Sequence, residues 1–112
     1  MNTEAMTEWL AIEVLKWGKI PYSPIHDGFH YDTPEGKVYY DDFDPFNNLD
    51  DAFRVLDTWE TYGISKGMLD SGYYVSIYPD FEKYPEAEFE GEADTLPTAI
   101  CIAACRASGY IE

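Results

Sequence analysis

The longest stretch of this chain with no charged face runs from Asp94 to Gly109. Leu96, Ala99, Ile100, Cys101, Ile102, Ala103, Ala104, Cys105 and Ala107 surround a helical wheel with apolar side chains, and a helix apolar all round must be buried on nearly every side. Its ends are marked as well. Asp94 or Thr95 suits the cap, Pro97 a first turn and Gly109 the left-handed C′ position, while Arg106 lies where the helix dipole favours a cation. Ala99, Ala103 and Ala107 recur every fourth residue, which lets a sheet or a second helix approach closely. The pattern predicts the central helix of the fold.

Two more helices are legible upstream. Asn2 or Thr3 caps a first one running to about Trp17, with Gly18 as its stop. Met6, Trp9, Leu10, Val14 and Trp17 fall on one side of its wheel, but Ile12 and Leu15 fall on the other, so more than one neighbour is predicted. Asn47 or Asn48 caps a second helix, Asp50 and Asp51 complement its dipole, and Gly63 ends it. Leu49, Ala52, Phe53, Leu56 and Trp59 give it one apolar stripe, as a helix covering a sheet would have.

The segments between lose helical period. Thr33-Pro34-Glu35-Gly36, flanked by Phe29-His30-Tyr31 and Val38-Tyr39-Tyr40, reads as a hairpin with aromatic cross-strand pairs. Ser65 to Gly72 reads as a loop. Tyr73 to Tyr78 alternates as a strand, with Tyr73, Val75 and Ile77 on one face, and Glu86 to Glu92 alternates acids with small or apolar residues. The predicted fold class is α+β, with antiparallel strands and three helices in the order α-β-β-α-β-β-α. Hairpin links this short exclude parallel crossovers.

With 112 residues the chain makes one domain, 1–112, with a core of its own. Seven basic residues against 22 acidic ones give a net charge of -15, which disfavours direct contact with nucleic acid or with an anionic membrane. An aromatic content of 17% sets the chain apart from disordered acidic sequences. No apolar run is long enough to span a bilayer and no leader opens the chain. The only cysteines, Cys101 and Cys105, lie one turn apart in the buried helix and are poorly aimed for a bridge. A reduced, cytoplasmic setting follows.

Three stretches together resemble a known family: Met6 to Trp17, Phe43-Asp44-Pro45-Phe46 with its following helix, and Thr95 to Ala104. Leu96-Pro97-Thr98-Ala99-Ile100-Cys101 is the most specific of them. The likeness is to the phage ABA sandwich domain family, and Asp44 stands where members typically carry Asn. The resemblance implies an αβα sandwich and a phage setting in the cytoplasm of a host cell. It implies no established catalytic activity, and no catalytic residue is carried over.

Candidate chemistry is sparse. His26-Asp27 and His30-x-Asp32, with Cys101 and Cys105, could be drawn as a mixed zinc site, and Ser23 beside the histidines as a nucleophile. The spacing supports neither, and no phosphate loop, nucleophile elbow or cofactor motif is present, so no metal, cofactor or enzyme activity is expected. Two features stand out instead. From Asp80 to Asp94 seven acids face one lysine, Lys83, an edge that discourages self-pairing and also matches a phosphate mimic. The aromatic residues, with amides at helix starts, suggest a pocket that holds a base by stacking and a phosphate by backbone donors.

The leading functional reading is a phage counter-defence protein that sequesters a nucleotide-derived small signal, with a homo-oligomer interface left open as part of the site. Its candidate ligand-binding residues are Trp9, Tyr74 and Tyr78 for stacking, Glu13 among the first-helix aromatics, and Asn47, Asn48, Thr95 and Thr98 at helix starts. The second reading is an acidic inhibitor or nucleic-acid mimic that blocks a basic surface of a host protein.

Overall fold

A computed structural model describes residues 1–21, 28–66 and 72–111. Asn2 caps helix α1 (Thr3–Trp9) by accepting a hydrogen bond from the Ala5 amide at 3.1 Å. The chain then continues as a π-helical segment over Leu10–Val14. Its wider turn is closed by the Leu15 amide on the Leu10 carbonyl and the Trp17 amide on the Ala11 carbonyl, each at 2.9 Å. This resolves the two-sided wheel: Met6, Leu10, Ala11 and Trp17 are buried, while Ile12, Val14 and Leu15 pack against the core from its margin. The turn that ends it is made by Lys16 at φ 61°, upstream of the expected stop at Gly18.

The first sheet follows, with β1 (Gly18–Pro21), β2 (Phe29–Thr33) and β3 (Gly36–Tyr39) paired antiparallel in that order. The expected hairpin is the β2–β3 pair, and Gly36 at φ 124° makes the return that a side chain would resist. Thr33 Oγ1 ties the turn, donating to the Gly36 carbonyl at 2.8 Å and accepting from the Glu35 amide at 3.1 Å. Tyr31, Trp17 and Phe43 anchor this sheet to the core.

Helix α2 (Leu49–Leu56) is capped by Asn48, whose Oδ1 accepts from the Asp51 amide at 3.0 Å. It stops well before Gly63, because Thr58 and Trp59 turn back on the carbonyls of Val55 and Leu56. Its principal neighbour is α3, contrary to the expected sheet, and Leu49 lies exposed.

The second sheet pairs β4 (Tyr62–Lys66), β5 (Tyr73–Ile77) and β6 (Phe89–Ala93) antiparallel in that order. Ser65 and Lys66, expected in a loop, belong to β4. Helix α3 (Leu96–Ser108) lies between this sheet and the pair α1 and α2. Ala99, Ile100, Cys101, Ala103, Ala104 and Cys105 are all buried in it. Gly109 takes the left-handed cap at φ 92°, and the Tyr110 amide closes on the Cys105 carbonyl at 2.9 Å. The small-residue stripe has the expected use. A Cβ at Gly91 of β6 would run into the Ala99 carbonyl and lie 2.5 Å from the Ala103 amide nitrogen.

The fold is thus α+β, with three helices and antiparallel strands in the expected alternation. The strands form two three-stranded sheets, each opened by a strand beyond the predicted hairpin. The first helix, both sheets and α2 share one core cluster with α3. None of the helices is long and apolar enough to cross a membrane, among the described residues.

Candidate functional site

A cavity of about 800 Å³ opens between the first turns of α1, the first sheet and the connection that leads into α2. Its wall is aromatic. Phe29 meets Tyr31 edge-on at 5.1 Å and lies tilted against Tyr40 at 5.3 Å, and Tyr31 meets Phe43 at 6.1 Å, so four rings from β2 and the chain after β3 form one cluster, with Tyr31 and Phe43 buried behind Phe29 and Tyr40. The periodicity of β2 puts Phe29 and Tyr31 on the same face, and the Tyr40 amide bonded to the Phe29 carbonyl at 3.2 Å holds the third ring in register.

The rim is acidic. Glu4 and Glu8 of α1, with Asp41 and Asp44 after β3, line the cavity, and Lys19 of β1 is the one basic side chain among its described lining residues. Lys19 Nζ is paired with Glu8 and stands 4.5 Å from the centre of the Phe29 ring. Burial pushes the Tyr31 phenol up to about 12, and the charge of Glu8 adds to the shift.

Of the predicted site residues, Asn47 and Thr98 line this cavity. Asn47 Nδ2 donates to the Asp44 carboxylate at 3.0 Å, so its amide holds the loop before α2. Thr98 Oγ1 is placed to bond the Phe46 carbonyl at 3.3 Å, and Thr95 Oγ1 donates to Thr98 at 3.1 Å. Asn48 is the α2 cap. Trp9 packs edge-on against Tyr110 and donates from Nε1 to Ser108 Oγ at 2.9 Å, which docks α1 on the end of α3. Glu13 is exposed on the π-helical segment.

Tyr74 and Tyr78 belong to a different surface. The register that turns Val75 and Gly91 toward α3 turns Tyr74, Ser76, Glu90 and Glu92 to the opposite face of the second sheet. Ser76 Oγ donates to Glu88 at 2.7 Å. Hydrogen bonding to Glu90, first, and partial burial push the Tyr74 phenol up to about 12. Tyr78 packs edge-on against Phe81 at 5.7 Å. The eight residues therefore do not form one pocket; they divide between the cavity, the helix starts, the contact of α1 with α3, the exposed side of the π-helical segment and this acidic face.

The drawn zinc and nucleophile sites fall in part outside the described residues. Ser23, His26 and Asp27 lie outside the described residues, as does Tyr22. His30 Nε2 is 3.3 Å from Asp32 Oδ1. Cys101 and Cys105 are buried in the core, and burial is the main cause of a strongly raised Cys101 thiol pKa. Among the described residues no group of three or more His, Cys, Asp or Glu could hold a metal ion.

A family model described as the phage ABA sandwich domain matches residues 8–105. The chain belongs to the phage ABA sandwich domain family. The match takes in all of the core elements except the first turns of α1 and the last turn of α3, and with them the family's setting: this is a small phage protein. No curated protein and no solved structure matches the chain. In this ABA sandwich protein the aromatic wall and its carboxylate rim were missed in the sequence because Glu8, Lys19, Phe29 and Tyr40 are brought together only by strand register. The one signal for them was the density of rings between Phe29 and Phe46, interleaved with acids.

Proposed function

We propose that this ABA sandwich protein is a non-catalytic binding protein that acts in the host cytoplasm by covering a basic surface of a host protein. The observation that carries this reading is the outer face of the second sheet, where Glu88, Glu90 and Glu92 stand beside Tyr74 and Ser76. Phe81 and Tyr84, both exposed, lie in the connection that leads into β6. Carboxylates flanked by exposed rings match the anatomy of a docking surface, in which aromatic anchors hold and charge steers. Arg106 does not neutralise the face by pairing with a carboxylate; its guanidinium donates to the Glu90 carbonyl at 2.7 Å.

Sequestration of a nucleotide-derived signal, as counter-defence, is the second reading, and the aromatic cavity favours it. Its charge weighs against it. Four carboxylates line the rim against one lysine, and near the α2 start Asn48 already takes the Asp51 amide while the Asp51 carboxylate takes the Asp44 amide. A phosphate there would meet like charge at short range.

One experiment separates the two readings. The tagged protein and a variant with Glu86, Glu88, Glu90 and Glu92 changed to Gln are exposed to host extract at graded salt. The docking reading predicts a host protein that the wild type retains, that the variant loses, and whose recovery falls steeply as salt rises. Equal recovery by the variant, or release of an intact small nucleotide on heating the washed protein, would overturn it.

A further inference from the structure

The aromatic cavity has a use that the docking face does not explain. Its ring wall and carboxylate rim are already engaged with an ammonium group: Lys19 Nζ, paired with Glu8 and 4.5 Å from the Phe29 ring centre. The face of an aromatic ring attracts a cation, and a carboxylate beside it adds Coulomb attraction without filling the ring face. Lys19 holds this place loosely. Its side chain is 41% exposed, and that of Glu8 is 38% exposed, so the pair is screened by water and worth little in isolation.

We propose that the cavity is a binding site for a small organic ammonium compound, and that Lys19 is a tethered competitor which the ligand displaces. Three observations converge on a cation. The volume of about 800 Å³ far exceeds what a lysine tip fills. Phe29 and the exposed Tyr40 stand 5.3 Å apart on this wall, with the buried Tyr31 packed behind Phe29 at 5.1 Å, rings of the kind from which ammonium cages are built. Glu4, Asp41 and Asp44 remain on the rim once Glu8 is paired with Lys19. A methylated ammonium suits such a wall better than a phosphate or a carboxylate, because its hydration is weak and its charge is complementary.

The test is calorimetric titration with choline, and with tetramethylammonium as the minimal probe, at physiological salt. The wild type binds one equivalent. Lys19→Ala, which removes the internal competitor, binds about fivefold more tightly, whereas Tyr40→Leu binds about fivefold more weakly, the loss of one exposed ring contact. Tyr40 is 46% exposed, so its variant is expected to fold, which a thermal melt checks. The variant with Gln at 86, 88, 90 and 92 binds as the wild type does, which separates this site from the docking face. Absence of saturable binding in both the wild type and Lys19→Ala overturns the proposal. So does binding that vanishes in the four-Gln variant, because that would mark a diffuse attraction to net charge.

Discussion

Gly91 sets how closely the second sheet approaches α3. Its missing side chain leaves room for the backbone of Ala99 and Ala103, so the contact is backbone against backbone and cannot yield by a rotamer change. Gly91→Ala is expected to lower stability by about 3 kcal/mol, the upper range for overpacking, as read by urea denaturation. Two tyrosines give a second prediction at this scale. Tyr31 and Tyr74 are each pushed up to about 12 from the ordinary 10. A raised folded-state pKa means that the unfolded chain loses its proton first, so their contribution is intact below pH 10 and is lost as pH rises through 12. Stability should therefore fall between these limits, in denaturation curves followed across that range. The two phenols are separable: Glu90→Gln should move the Tyr74 titration back toward 10 by ultraviolet difference spectroscopy and leave Tyr31 where it is, since burial dominates the shift of Tyr31.

Among the elements, α2 is short and depends on its cap. Asn48→Ala is expected to cost about 1 kcal/mol, measured by the shift in denaturation midpoint. How much of each element could be read from the sequence follows from how it is buried. Helix α3 was legible from end to end because Pro97, Gly109 and its all-apolar wheel report the same thing, although Thr95 at the N-cap position makes no side-chain cap bond. The β2–β3 hairpin was legible from its turn residues. Strands β1 and β4 were not: every residue of both is exposed, so no alternation marks them, and only pairing with β2 and β5 makes them strands. The second helix was read too long because Trp59 continues its apolar stripe, although the chain has by then left the helix in tight turns. The cavity was illegible for a different reason. Its rings come from one stretch, but Glu8 and Lys19 reach them only through the packing of α1 and the pairing of β1 with β2.

The whole molecule is elongated, 49 × 34 × 26 Å, and two of its acidic surfaces differ in shape. One is the open sheet face of Glu88, Glu90 and Glu92; the other is the cavity rim of Glu4, Glu8, Asp41 and Asp44. A net charge of -15 draws basic partners from a distance and repels anionic ones, and about 0.1 M salt screens that field beyond roughly 10 Å. Long-range attraction acts on both surfaces alike, so only short-range contacts decide which one a host protein covers. Carbodiimide labelling of carboxylates, read by mass spectrometry with and without the captured host protein, measures this directly. The account predicts that Glu88, Glu90 and Glu92 lose reactivity in the complex while Glu4 and Asp41 keep theirs; protection of Glu4 and Asp41, with the sheet face still reactive, would contradict it.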